Sequence, residues 1–420
     1  MPDSRRSDDP SERSPGQDLP ETGALVLSGA RLADGRTVDV RLGGGRIEAV
    51  GTAGSLAAEG RQALVGLRGY LLLPAPAEPH AHLDSAFTAH GDGPPSETAT
   101  AVQRRVTEAA LLQLGHGATA VRTHVRIGDV KGLRTMEAVL QARRKLHGLV
   151  DLTAVAVPRL LTGSAGAEGL ALLRDALKMG ATVVGGCPDA DPDPSGYTEA
   201  VLGVAAEFGC PVDLHTDAGE PGRLSRLAAM AGGLRPGVTV GPCGGLGRMT
   251  GEQAARAADA LAAAGVSVVC LPQGGCGGTE HGVGGPLLPV RLLHAAGVRV
   301  AAGSGAVRDP ANPVGRGDPL EAAFLLASWG GLDPARAYEA VSTRAREVMG
   351  LPRVRVEAGF PAELLAVRAT GLGEALAPAY SRVVVHRGRV VSRTSAVREY
   401  TDTTGLDLPR QVRTGEEPAD

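Results

Sequence analysis

The chain has 420 residues, a formal net charge of −3 and 43% hydrophobic residues, enough to bury one large domain beside a smaller one. That balance leaves no electrostatic footprint for nucleic acid or an anionic membrane surface, so neither is expected as a partner. No run of about 18 apolar residues occurs, and no membrane-spanning helix is expected.

Residues 1–22 are polar, with prolines and alternating charges, and read as a disordered tail without a signal peptide. Residues 23–68 show short strands broken by Ala33-Asp34-Gly35 and by Leu42-Gly43-Gly44-Gly45-Arg46. Residues 69–354 alternate β-branched runs with amphipathic, Ala/Leu-rich stretches. The predicted strands are Tyr70–Ala75, Ala118–Val125, Asp151–Pro158, Ala181–Gly186, Pro211–His215, Val238–Gly241, Val266–Leu271 and Val298–Ala302. Helices are predicted over Thr98–Gly115, Gly132–Leu146, Ala165–Met179 and Gly251–Ala264, among others. Residues 355–395 return to the short-strand texture of the first flank, and residues 396–420 form a second polar tail.

Eight strands separated by helices give an α/β fold class, a (β/α)8 TIM barrel with a small β-sandwich built from both flanks. A doubly wound sheet is the alternative, but its first strand would need a glycine-rich phosphate turn that is absent here. The five cysteines (Cys187, Cys210, Cys243, Cys270, Cys276) are odd in number and lack zinc-ribbon spacing, which fits a reduced, cytoplasmic setting. The only lysines are Lys131, Lys145 and Lys178, against a total of 43 basic residues, a bias of coding composition more than a binding surface.

In a barrel, chemistry sits at the C-terminal strand ends. The first offers Glu78-Pro79-His80-Ala81-His82-Leu83-Asp84, whose two histidines point to one side of an extended backbone. Two imidazoles entering one cavity suit a transition metal. A bare HxH also fits a satisfied core histidine beside a chance neighbour, so the other strand ends must decide. They supply Arg122-Thr123-His124, Pro158-Arg159, Cys187-Pro188-Asp189 and Asp213-Leu214-His215-Thr216-Asp217. The sixth ends Gly241-Pro242-Cys243, with no histidine, and the eighth Gly303-Ser304-Gly305-Ala306, with no carboxylate.

Taken together, EPHAHLD (78–84), AVRTHV (120–125), VDLTAVAVP (150–158), GATVVGG (180–186), PVDLHTD (211–217) and RDPANPVG (308–315) resemble the cytosine deaminase-like branch of the amidohydrolase superfamily. VSTRAR (341–346) and GFPAEL (359–364) are similar to its later segments, so the resemblance spans roughly residues 24–392. It implies a metal-dependent hydrolase of non-peptide C–N bonds holding one divalent metal, Zn or Fe, which activates water. It places His80, His82 and His215 as metal ligands. The absence of a lysine in Ala181–Pro188 excludes the binuclear form of the family, which uses a carboxylated lysine there.

The remaining family positions are empty of chemistry. The proton-shuttling glutamate falls at Ala218, the sixth-strand histidine at Pro242 and the metal-binding aspartate at Gly305. None of these side chains ligates a metal or moves a proton. Arg159 stands where the branch has a base-contacting glutamine, and Ala311 replaces an aromatic of the loop after strand eight. Candidate stand-ins are Glu220 and Asp217 for the catalytic acids, Asp309 for the aspartate, and Glu280-His281 in the loop Gly274–Gly285. Arg159 and His124 are candidates for substrate contact.

The sequence therefore predicts diminished or lost hydrolysis, as a pseudoenzyme or ligand-binding protein, with weak or partial metal occupancy. The alternative is an active deaminase or cyclic amide hydrolase with a rebuilt site. A third possibility is metal-free chemistry with Arg159 anchoring an anion. Expected partners are a small-molecule ligand or substrate, with a homo-oligomer or protein partner left open.

Overall fold

The computed structural model describes residues 24–58, 63–89, 95–274, 288–377 and 381–396. The two predicted tails, up to residue 22 and beyond residue 396, lie outside the described residues, as do His90, Cys276 and the pair Glu280-His281.

Helices start where the sequence supplies a side-chain acceptor. Thr98, Asp129, Asp193 and Asp318 each accept a backbone N–H at the first turn, and Thr250 with Gln253 forms a reciprocal pair of such bonds. Two of these caps are followed at once by a proline, Pro194 and Pro319, where no N–H is required. Gly209 and Gly265 close their helices in the left-handed region, at φ 63° and 69°.

Between the helices run eight parallel strands in sequential order: β1 (Ala77–Ala81), β2 (Ala120–Arg126), β3 (Asp151–Val157), β4 (Val183–Gly186), β5 (Val212–Thr216), β6 (Val238–Pro242), β7 (Ser267–Cys270) and β8 (Val300–Ala302). The circle is drawn together by a bridge between Ala81 and Gly305, and by Glu78 of β1 accepting the Ser304 N–H at 2.8 Å and the Ser304 hydroxyl. This is the predicted barrel.

The flanks build one eight-stranded sheet from both ends of the chain, with its own core around Leu27, Val40, Leu42, Ile47, Leu364 and Val385. One element moves relative to the sequence reading. Tyr70–Pro74, expected as the first barrel strand, lies in this sheet between Leu25–Arg31 and Leu364–Arg368. The barrel begins instead at Ala77, and the histidine motif is itself its first strand. The reason is two-sided burial. Leu72 faces the sheet's core while Leu71 and Leu73 face the larger core shared with the barrel, so the run is apolar throughout and looks like a buried barrel strand.

Asp39 staples the flank sheet. Its buried carboxylate accepts the N–H of Gly29 (2.9 Å), Gly54 (2.7 Å) and Leu56 (3.4 Å) and the Ser28 hydroxyl (3.1 Å). Burial alone would raise its pKa, but these donors outweigh burial and hold it below the ordinary aspartate value. A depressed folded pKa contributes stability above the unfolded value, near 3.9, and that contribution fades as pH falls through the folded pKa. Asp39→Ala is expected to cost about 1.5–3 kcal/mol at pH 7, with the gap to wild type narrowing below about pH 4. Denaturant midpoints at pH 7 and pH 3.5 check this; an equal gap at both pH values would contradict it.

Candidate metal centre

The first strand carries an irregularity that aims its histidines. Pro79 has no N–H for the ladder, and the β1–β2 register shifts between Glu78 and Ala81. Glu78 compensates by accepting the His80 N–H at 3.1 Å. Gly303 of the β8 end lies so close that a Cβ there would stand 2.3 Å from Glu78 Oε1, which is why this position is glycine. Burial pushes the Glu78 carboxyl up to about 7 against the opposing pull of the Ser304 donors.

From this strand His80 and His82 meet His124 of β2 and His215 of β5. One nitrogen from each of the four rings lies within 4.8 Å of the others. The His80 ring centroid is 4.2 Å from that of His124 and 4.4 Å from that of His215. His82 Nε2 and His215 Nε2 are 3.2 Å apart. His80 and His124 are fully buried, while His82 and His215 are half-buried.

Does a divalent metal fit these donors? Both ring nitrogens of His80, and Nδ1 of His124 and of His215, have no hydrogen-bond partner. Burial, reinforced by the neighbouring imidazoles, holds His80 and His215 well below the ordinary histidine pKa. His82 is pushed down to about 3, by burial first and then by His124 and Arg126. Apart from the His82–His215 hydrogen bond, the neutral rings leave buried nitrogens without partners, which costs free energy unless a cation accepts their lone pairs. Two nitrogens each about 2.0–2.1 Å from one tetrahedral metal would stand about 3.3 Å apart, close to the observed His82–His215 separation of 3.2 Å. The residues fit the group that the resemblance implies.

Behind the cluster lies a buried ion pair. Arg122 Nη1 donates to Asp213 Oδ2 at 2.9 Å, and Arg122 Nη2 donates to the Val348 carbonyl at 3.2 Å. The same Asp213 oxygen is 3.4 Å from His124 Nε2. Burial would raise the Asp213 pKa, but His124 and Arg122 outweigh it and hold the carboxylate low.

The positions expected to carry the missing chemistry are well defined. Gly305 pairs with Ala81, between the two histidines, in the left-handed region at φ 72°. A Cβ at Gly305 would lie 3.2 Å from Leu271 Cδ1, so an aspartate there must accept both a disfavoured backbone and a tight contact. Ala218 is fully buried, and Pro242 pairs with Thr216 at the end of β5 and β6.

The candidate stand-ins are occupied elsewhere. Glu220 binds Arg223 at 3.0 Å and Arg226 at 2.6 Å with its side chain about half exposed (49%). Asp217 binds Arg248. Asp309 accepts the N–H groups of Ala311 and Asn312, both at 3.0 Å, and the Ser85 hydroxyl at 3.4 Å, which fixes the hairpin after β8. Arg159 is exposed beyond the end of β3. His124, for which the sequence leaves substrate contact, a supporting role and packing all open, lies inside the cluster.

Arg126 was missed. It follows His124 by two residues on β2 and therefore shares its side of the strand. It lies within electrostatic reach of His82, His215, Asp84 and Asp309. Its side chain has no hydrogen-bond or ion-pair partner among the described residues. The i, i+2 rule applied to HxH would have selected Arg122, His124 and Arg126 as one inward row.

Comparison with known proteins places the chain in a family. The model of the amidohydrolase family matches residues 88–392. A pterin deaminase of Rhizobium rhizogenes is 28% identical, over 85% of this chain and 88% of that protein. An N-isopropylammelide isopropyl amidohydrolase of Pseudomonas sp. is 24% identical, over 79% of this chain and 89% of that protein. The crystal structure of N-isopropylammelide isopropylaminohydrolase from Burkholderia multivorans superposes with a TM-score of 0.78 at 28% identity, covering 89% of this chain and 99% of the other. That of 5-methylcytosine deaminase from Klebsiella pneumoniae gives 0.77 at 23% identity over 89% and 100% of the two chains, a likeness of fold. The chain belongs to the amidohydrolase family.

Proposed function

We propose that this protein is a metal-binding member of the family in which hydrolysis of C–N bonds is diminished or lost, leaving a ligand-binding role for the barrel mouth. The observation that carries this reading is the makeup of the centre: four imidazoles converge, while Gly305, Ala218 and Pro242 stand where the resemblance implies acid–base and ligand groups. A bound Zn or Fe would supply Lewis acidity and an acidified water. The chain's own part would be to receive and deliver protons, and that part is missing. Acid–base help of this kind is worth roughly 10²–10⁴-fold. Asp213, the carboxylate nearest the cluster among those described, is already committed to Arg122.

For a ligand, Arg126 is better placed than Arg159. A cation beside metal-binding imidazoles favours a small anionic or electron-rich molecule at the mouth. The rebuilt-site alternative needs Glu220 or Asp217 to leave their arginines and turn to the cluster. One experiment separates the two readings. Zinc- and iron-loaded protein is incubated with pterin, N-isopropylammelide and 5-methylcytosine, and product is measured by chromatography. No turnover above a His80→Ala/His82→Ala control is expected. Turnover that the control lacks, and that Glu220→Gln abolishes, would establish the rebuilt site and overturn the proposal.

A further inference from the structure

We propose that His124 is the fourth metal ligand, taking over from the aspartate lost at Gly305 and converting an open centre into a closed, all-imidazole one. This rests on the reading that the cluster binds a metal, and goes beyond it. Three observations support the assignment. The His124 ring is 4.2 Å from His80 and 4.5 Å from His215, centroid to centroid, as near to them as they are to each other at 4.4 Å. It is fully buried; its Nε2 lies 3.4 Å from Asp213 Oδ2, and its Nδ1 has no hydrogen-bond partner. The position opposite the HxH pair, where a carboxylate would complete the set, is a glycine with no donor to offer.

The surroundings of His124 match those of a ligating imidazole. Such rings are commonly steadied by a carboxylate, which fixes their orientation and raises their basicity. Asp213 stands 3.4 Å from His124 Nε2 and is itself pinned by Arg122 at 2.9 Å. The chemical consequence is specific. A tetrahedral metal with three protein ligands keeps a position for water or substrate, whereas four protein ligands fill it. Recruiting His124 would therefore remove the water site as well as replace the lost charge, and the metal would serve the architecture of the barrel mouth. Four neutral ligands also leave the full divalent charge uncompensated, so that an anion beside Arg126 gains a second attraction.

The test uses the full chain, stripped of metal and titrated with cobalt(II), and reads visible absorption rather than turnover. Wild type is expected to give the intense d–d bands of a four-coordinate site, and added azide should leave them unchanged. His124→Ala is expected to weaken cobalt binding by at least about 100-fold, because losing a group that merely steadies a ligand already costs about 10–100-fold. The cobalt it still binds should give bands that shift with azide. His124→Asn, which keeps a polar group beside Asp213, should behave the same way and replaces the alanine variant if that one misfolds. The proposal is overturned if azide shifts the wild-type bands, an outcome that needs no variant, or if a folded His124 variant binds cobalt as tightly as wild type. Failure of the wild type to bind cobalt at all would instead remove the metal reading on which this rests. Tight wild-type binding indifferent to His124 would remove this proposal alone.

Discussion

Zinc added at a hundredfold excess over its dissociation constant should stabilise this protein by about 2.7 kcal/mol, and at a thousandfold excess by about 4.1 kcal/mol. The stabilisation arises because the four imidazoles are assembled only in the folded chain, from β1, β2 and β5, which lie far apart in sequence. An unfolded chain offers one HxH pair and scattered single histidines, so it competes weakly for the ion. In the metal-free protein, unpartnered lone pairs on His80, His124 and His215 are buried together, and binding relieves that cost. Thermal unfolding with and without zinc, in a chelator-treated sample, measures the effect. His80→Ala/His82→Ala should abolish it. An unchanged midpoint across a range of zinc, cobalt and iron concentrations would show that the cluster is not a metal site.

Asp213→Ala should be the most damaging single change outside the hydrophobic core, costing about 3–5 kcal/mol. The Arg122–Asp213 pair is almost completely buried, at 1% exposure for Arg122 and none for Asp213. Removing the carboxylate leaves a guanidinium inside the barrel with only the Val348 carbonyl to accept from it. The pair as a whole contributes far less than that figure, because both ions gave up water to be there. The double variant Arg122→Met/Asp213→Leu is therefore expected to recover most of the lost stability while disturbing His124, which loses its nearby carboxylate. Denaturant unfolding of Arg122→Met, Asp213→Leu and the double variant gives the coupling directly. Additive losses would mean that the two side chains do not act as a pair.

These two predictions differ in how far they could be seen in advance. HxH, His215 and the β/α rhythm are local patterns, legible because strand alternation and strand-end position follow from sequence order alone. His124 was visible as a residue, yet its membership of the cluster depends on how far β2 leans towards β1 and β5. Arg126 obeys the same alternation but lies beyond the strand-end motif Arg122-Thr123-His124. The Arg122–Asp213 pair carries no sequence signal, since the two residues are 91 positions apart. The stand-ins Glu220 and Asp217 looked available by spacing, but spacing does not reveal that arginines of the neighbouring helix and turn hold both of them.

Through the resemblance its motifs carry, the sequence predicted the barrel and its composite flank, and placed His80, His82 and His215 at metal-ligand positions and Ala218, Pro242 and Gly305 at the glutamate, histidine and aspartate positions. The barrel rests on periodicity, and the site positions rest on motifs matched to the family, both carried by the linear chain. Only the tertiary structure decided that Tyr70–Pro74 belongs to the flank sheet, because two-sided burial erases the alternation that would tell one sheet from the other. It also decided that Gly305 sits in a left-handed, crowded position beside Ala81. That His124 joins His80, His82 and His215 is likewise a matter of distances across the barrel. Such distances are set by the closing of eight strands into a ring, which no local pattern encodes.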